Sequence, residues 1–181
     1  LKAKNPALVY LGGIYHQGGL LLKQLREKGV NAKFMGPDGL DSAEMVKIAG
    51  SAATGSYYTS VAGPPSAYPE AAAFATKYKL RFGKDVESFG MYGYDAALVG
   101  IRATEQGIKA NGGKKPSRTD VSAAVRKIKN SKGVTGSVEF DSKGDPVKAK
   151  YFVLQFEKQV YPGKIVKVIE QQAPAAVAKK S

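Results

Sequence analysis

Cysteine and tryptophan are both absent from the 181 residues, and His16 is the only histidine. Without cysteine there are no disulfides and no thiolate chemistry, and the redox compartment cannot be read from thiols. A Ser/His/Asp arrangement would have to run through His16, and no G-x-S-x-G turn accompanies it. One histidine among scattered carboxylates specifies no metal site, so His16 reads as a loop residue. No apolar run approaches the ~20 residues that span a bilayer. The chain opens on Leu1 rather than Met and shows no leader-like segment, as expected of an exported protein that has lost its leader. Gly107 to Lys115, GIKANGGKK, misses the phosphate-loop spacing and follows a helical pattern rather than a strand. Gly90-Met91-Tyr92-Gly93 is no dinucleotide fingerprint either, so neither an enzyme nor a cofactor is expected.

Acidic residues are also scarce, 15 against 28 basic ones, which leaves a net charge of +13. The densest basic stretch is Lys109 to Lys132, with Lys114, Lys115, Arg118, Arg126, Lys127 and Lys129 inside it. Such a stretch can mark a polyanion or an acidic cell envelope. No aromatics are interleaved for base stacking, and Ala123, Val125 and Ile128 make an ordinary apolar stripe behind the cations. The stretch therefore reads as a solvated helix face and loop, and no nucleic acid is expected.

What the chain does have is 43% apolar and 24% charged residues, the balance of a globular protein with room for one core or parts of two. Its organising stretch is Ala7 to Leu40. Leu8 to Leu11 is a short apolar run that suits a strand buried on both faces. Gly12-Gly13 turns the chain, and from Gly19 the residues Leu21, Leu22 and Leu25 recur at helical spacing. Gly29 closes that helix. Ala32 to Met35 is a second strand, followed by the turn Gly36-Pro37-Asp38-Gly39. This βαβ unit requires parallel strands, with both following turns at the carboxyl edge of the sheet, where α/β folds bind ligands.

Further along, Asp41 and Glu44 pattern as a capping box for a helix to Ala49. Gly55 to Val61 reads as a strand, and Ala62-Gly63-Pro64-Pro65 as a break. Ser66 to Phe82 reads as a helix whose buried side is Ala71, Ala72, Phe74, Ala75, Tyr78 and Phe82. Tyr92 to Ala110 is a longer helix in which Asp95 faces the positive end of the dipole. Asp120 to Lys129, capped by Thr119, is the basic helix. Val134 to Phe140 and Val147 to Glu157 form a hairpin around a polar turn, and Gly163 to Glu170 is the last strand. The tail from Gln171 carries no pattern that could bury a core.

Several segments in this order resemble one family. They are VYLGGIYHQGG, KQLREKG, FMGPDG, IAGSAATGSYYTS, YGYDAALVGIRATEQ and GVTGSVEFDSKGDP, covering about Ala7 to Phe156. Together they are similar to the C-terminal half of the leucine/isoleucine/valine-binding components of branched-chain amino-acid ABC transporters. The resemblance implies an α/β fold of periplasmic binding protein type I, with two doubly wound parallel-sheet lobes, incomplete here. Residues 1–62 would belong to the C-terminal lobe, 63–133 would be helices of the N-terminal lobe, 134–170 return strands, and 171–181 a disordered tail. It also implies an exported, periplasmic or envelope location, an amino acid as ligand and a membrane permease as partner; the short length adds the expectation of a larger cell-envelope assembly.

Read by itself, Asp38 is an acid bonding its own turn. By the resemblance it would receive the ligand's ammonium group through a charge-assisted hydrogen bond. Tyr15, or Ile14 in its place, would wall the ligand, with Gln17 a weaker candidate. Which of Ile14 and Tyr15 faces the ligand is open, because some relatives place an aromatic directly after the two glycines. The groups that hold the ligand's carboxylate would lie outside the matched half, so the chain alone is expected to bind weakly or not at all. Same-fold sensors and polyanion binders are the alternative classes.

Overall fold

The computed structural model describes residues 1–172 and divides into two compact units. The first comprises Leu1–Pro64 and Lys150–Ile169. Its elements are β1 (Leu8–Tyr10), α1 (Tyr15–Glu27), β2 (Lys33–Gly36), α2 (Ala43–Ala49) and β3 (Tyr57–Ser60), which β6 (Lys148–Gln155) and β7 (Lys164–Gln172) later join. The sheet order is β1-β2-β3-β6-β7. β1, β2 and β3 are mutually parallel, as the crossover through α1 demands, while β6 runs antiparallel to β3 with Tyr57 opposite Gln155 and Ser60 opposite Phe152. The sheet is thus mixed rather than wholly parallel.

The core follows from the apolar pattern. Leu22 and Leu25 of α1, Phe34 of β2, Met45 and Val46 of α2, and Phe152 and Leu154 of β6 are all buried. Tyr58 stacks on Phe156 with ring centroids 4.7 Å apart. Helix α1 reaches its neighbours through Gly18 and Gly19. A Cβ on Gly19 would stand 2.8 Å from Ile48, and one on Gly18 2.6 Å from the Leu40 side chain. Gly29, at φ +72°, closes the helix as its position suggests.

Helix α1 starts at Tyr15, not Gly19, so His16 lies in its first turn rather than in a loop. β1 is not buried on both faces, since it is an edge strand whose Leu8 and Tyr10 are 50% and 59% exposed. An apolar run reports burial only where neighbours exist to supply it. The cap of α2 is Ser42, whose Oγ accepts from the Glu44 N–H, and Asp41 is committed elsewhere. Gln171 and Gln172 continue β7; residues 173–181 of the expected tail lie outside the described residues.

The second unit comprises residues 65–149 together with, among the described residues, 170–172. It holds α3 (Ala71–Phe82), α4 (Ser88–Ala110), α5 (Arg118–Lys127) and the short antiparallel pair β4 (Ser131–Lys132) and β5 (Ser137–Val138). Val99, Ala103, Ala124 and Ile128 form its core, with Val121, Val125, Val138 and Phe140 packed against it. Pro69 shortens the first helix to Ala71 by restricting the residue before it. Only Ala71 of the expected buried side of α3 is buried, and Phe82 is 60% exposed. The aromatic stripe instead packs along itself and onto α4 as tilted ring pairs, with Phe74–Tyr94 and Tyr78–Phe82 centroids each 4.6 Å apart. Ser117, not Thr119, caps α5, in a reciprocal box with Asp120. The expected hairpin also differs. β5 pairs with β4, and only the Phe140–Pro146 bridge remains of a pairing across the polar turn.

Candidate functional site

The site expected from the sequence lies where β1 and β2 end, and the structure brings those two ends into backbone contact. A Cβ on Gly39 would stand 2.5 Å from the Gly13 carbonyl oxygen and 3.2 Å from the Ile14 side chain. Only glycine fits there, so the turn carrying Asp38 and the turn carrying Ile14 and Tyr15 pack directly on one another. The ladder continues to this edge through Leu11 N–H to the Met35 carbonyl at 2.9 Å.

Asp38 opens a single 3-10 turn, Asp38–Leu40, and is exposed, with no side-chain hydrogen bond or ion pair among the described residues. It does not bond its own turn through its carboxylate. Its backbone carbonyl does, accepting from Asp41 N–H at 2.9 Å, while Leu40 N–H donates to Pro37 at 3.0 Å. A carboxylate left open to water at a sheet's carboxyl edge is available to a cationic group. Ile14 is 48% exposed, Tyr15 is half-buried, and the Tyr15 ring lies 4.0 Å from that of His16. Gln17 turns back on its own helix, its Oε1 accepting from Ile14 N–H at a long 3.5 Å. That satisfies one of the helix's free N-terminal donors.

A second group of residues beside this turn escaped the sequence reading. Asp41, only 7% exposed, accepts from Ser60 Oγ at 2.7 Å and from Tyr161 OH at 2.9 Å. Ser60 Oγ in turn accepts from Ala62 N–H at 3.1 Å, and Gly163 N–H donates to Tyr58 OH at 3.0 Å. Burial, and then the Asp41 carboxylate, push the Tyr58 phenol well above the usual tyrosine range. Asp41 was legible only as a cap, because Asp41 and Ser42 are adjacent and both suit that role. Its partners lie far away in sequence, at residues 60 and 161.

In the second unit Asp95 is not a dipole partner. It is buried, and it accepts from Val134 N–H at 2.8 Å and Thr135 N–H at 2.9 Å, fixing the loop after β4. Tyr92 shares a 2.8 Å hydrogen bond with Tyr68; burial first and that bond second raise its phenol well above the usual range. The basic stretch flanks a cleft of about 400 Å³ whose lining includes Arg102, Lys109, Lys127 and Lys132. Arg102 bonds Ser131 and the Lys132 carbonyl, and Lys129 pairs with Glu139 at 2.7 Å. No cluster of metal-ligating side chains occurs among the described residues, and no described helix is long and apolar enough to cross a membrane.

The α/β unit with parallel β1, β2 and β3 and antiparallel β6 has the fold of periplasmic binding proteins of type I. Residues 1–160 match the family model described as periplasmic binding protein, and the chain belongs to that family. It is 32% identical over 159 residues to a Leu/Ile/Val-binding protein homolog of Brucella suis, covering 87% of this chain and 40% of that protein. It is 31% identical over 161 residues to a leucine-, isoleucine-, valine-, threonine- and alanine-binding protein of Pseudomonas aeruginosa. The crystal structure of a leucine-binding protein from Thermotoga maritima superposes with a TM-score of 0.78 at 28% identity, covering 93% of this chain and 46% of that one. A branched-chain amino-acid transporter substrate-binding protein from Streptococcus pneumoniae, in complex with isoleucine, has the same fold, with a TM-score of 0.75 at 22% identity. The chain spans about 40% of the length of the curated relatives it matches.

Proposed function

We propose that this chain carries the ammonium-binding side of an extracytoplasmic binding protein for branched-chain or related amino acids, which delivers its ligand to an ABC permease. The observation that supports the reading is the contact between the Gly13 and Gly39 turns, which packs the turn that carries Asp38 against the turn that leads into Ile14 and Tyr15. A carboxylate, an apolar side chain and an aromatic ring are the three chemistries needed for an ammonium group and an aliphatic side chain. The relatives support the ligand class, since their names specify leucine, isoleucine and valine. Asp38 is the ammonium acceptor, and Ile14 and Tyr15 wall the aliphatic part. Gln17 serves its helix start, so its contribution is to hold that wall in place. Closure of two lobes on the ligand would form the state that the permease recognises.

Calorimetric titration of leucine, isoleucine and valine into the full-length protein tests this. Asp38→Asn removes the charge and should weaken binding by about 2–5 kcal/mol, roughly thirtyfold or more in Kd. An Asp38→Asn protein that binds all three as tightly as its parent would overturn the assignment.

A further inference from the structure

The buried hydrogen-bonded group around Asp41 lies among polar partners, apart from the purely apolar Leu22, Phe34 and Phe152 of the core. A buried carboxylate is costly unless its oxygens are bonded, and here both oxygens are used by residues from different parts of the chain. Asp41 Oδ2 takes the hydroxyl of Ser60, the last residue of β3. Oδ1 takes that of Tyr161, in the connection between β6 and β7. On its other side Asp41 is bonded through its backbone to Asp38, three residues before it.

We infer that Asp41, with Ser60 and Tyr161, is the positioning group that fixes the Asp38 turn to the segment through which the chain leaves the first unit. The inference rests on the reading of Asp38 as the ammonium acceptor. The path is continuous, running from the Asp38 carbonyl to Asp41 N–H, from the Asp41 carboxylate to Ser60 Oγ, and from Ser60 Oγ to Ala62 N–H. Ala62 stands two residues before Pro64, the end of the unit's first segment. The 3-10 turn is held by short-range backbone hydrogen bonds, Leu40 N–H to Pro37, Asp41 N–H to Asp38 and Ser42 N–H to Leu40, all within the same six residues. A turn so locally held keeps a fixed geometry only if something anchors its end, and Asp41 is that anchor. Neither Ser60 nor Tyr161 touches the ligand in this scheme. They set where Asp38 stands when a solute arrives.

Tyr161→Phe is the incisive variant, because it keeps the ring and deletes one hydroxyl, while Asp41→Ala risks the fold. Two readouts on the full-length protein separate the inference from the reading beneath it. Native-state hydrogen exchange in Tyr161→Phe and Ser60→Ala should accelerate about tenfold or more at the Leu40 and Asp41 amides, the equivalent of one hydrogen bond to a charged group. Exchange within α1 should stay at the parent rate, whereas a merely structural loss would raise both together. Leucine affinity should fall by about tenfold with unchanged far-UV circular dichroism. If the Leu40 and Asp41 amides exchange at the parent rate in both variants, the anchor does not exist. Accelerated exchange in a variant that still binds leucine at parent affinity would equally refute a positioning role. If the parent protein binds no amino acid at all, the Asp38 reading fails, whatever the exchange data show.

Discussion

The contact between the two strand-end turns allows a paired test, because adjacent glycines differ in what surrounds them. An alanine at Gly12 would meet nothing within 4 Å, while one at Gly39 would place its Cβ 2.5 Å from the Gly13 carbonyl oxygen. Neither residue has a positive φ, so alanine is not strained by backbone conformation at either site. Both substitutions remove freedom from the unfolded chain, which alone stabilises by about 0.4–1 kcal/mol. At Gly12 that gain should stand. At Gly39 the turns must separate by about 0.9 Å to restore a 3.4 Å contact, against the backbone on one side and Ile14 on the other. Overpacking of this kind costs about 1–3 kcal/mol, so Gly39→Ala should be net destabilising by about 1–2 kcal/mol. The two variants should then differ by about 2 kcal/mol, or close to 1 M in urea midpoint at an m-value near 2 kcal/mol/M. The chain has no tryptophan, so far-UV circular dichroism is the suitable probe. Gly39→Ala and Gly12→Ala with indistinguishable midpoints would show that the turns do not touch, and the proposed site would lose its geometry.

In the second unit, Asp95→Ala should destabilise on the order of 3 kcal/mol, because it strips the acceptor from two backbone amides and the Thr135 hydroxyl. Unchanged exchange at the Val134 and Thr135 amides would contradict this. The acid limb of stability should draw on Asp120 and Asp141. Bonds from Ser117 hold the first below the ordinary carboxylate range; for the second the main cause is the Asp145 amide, followed by those of Lys143 and Gly144. Both folded-state values lie below the unfolded one, so the stability they add is complete above about pH 4 and is lost as pH falls through the lowered values. Urea midpoints of Asp120→Asn/Asp141→Asn and of the parent should converge below pH 4. A difference that stays constant from pH 7 to pH 2 would rule out their contribution.

The local structure of the opening βαβ unit was determined by sequence alone. The run Leu8 to Leu11, the helical spacing of Leu21, Leu22 and Leu25, Gly29 and the Gly-Pro-Asp-Gly turn act over a few residues, where steric rules and periodicity decide. Parallel pairing of β1 with β2 followed, because a crossover helix leaves no other choice. Segment order sufficed for the family too, since the order of several weak motifs is more specific than any one of them. Only the tertiary structure could show what each polar side chain is for. Asp41 and Ser42 are equally good caps by type, and Asp41 is free for Ser60 and Tyr161 only because β3 and the segment after β6 fold back beside it. Asp95 was misread for the same reason, its partners Val134 and Thr135 lying about forty residues away. Burial was decided at that level as well. The apolar runs of β1 and α3 mark surfaces able to be covered, whereas exposure of Leu8, Tyr10 and Phe82 depends on which neighbours stand beside them. Propensity acts within a turn of chain, while a buried hydrogen bond or a covered face needs a partner that chain topology alone delivers.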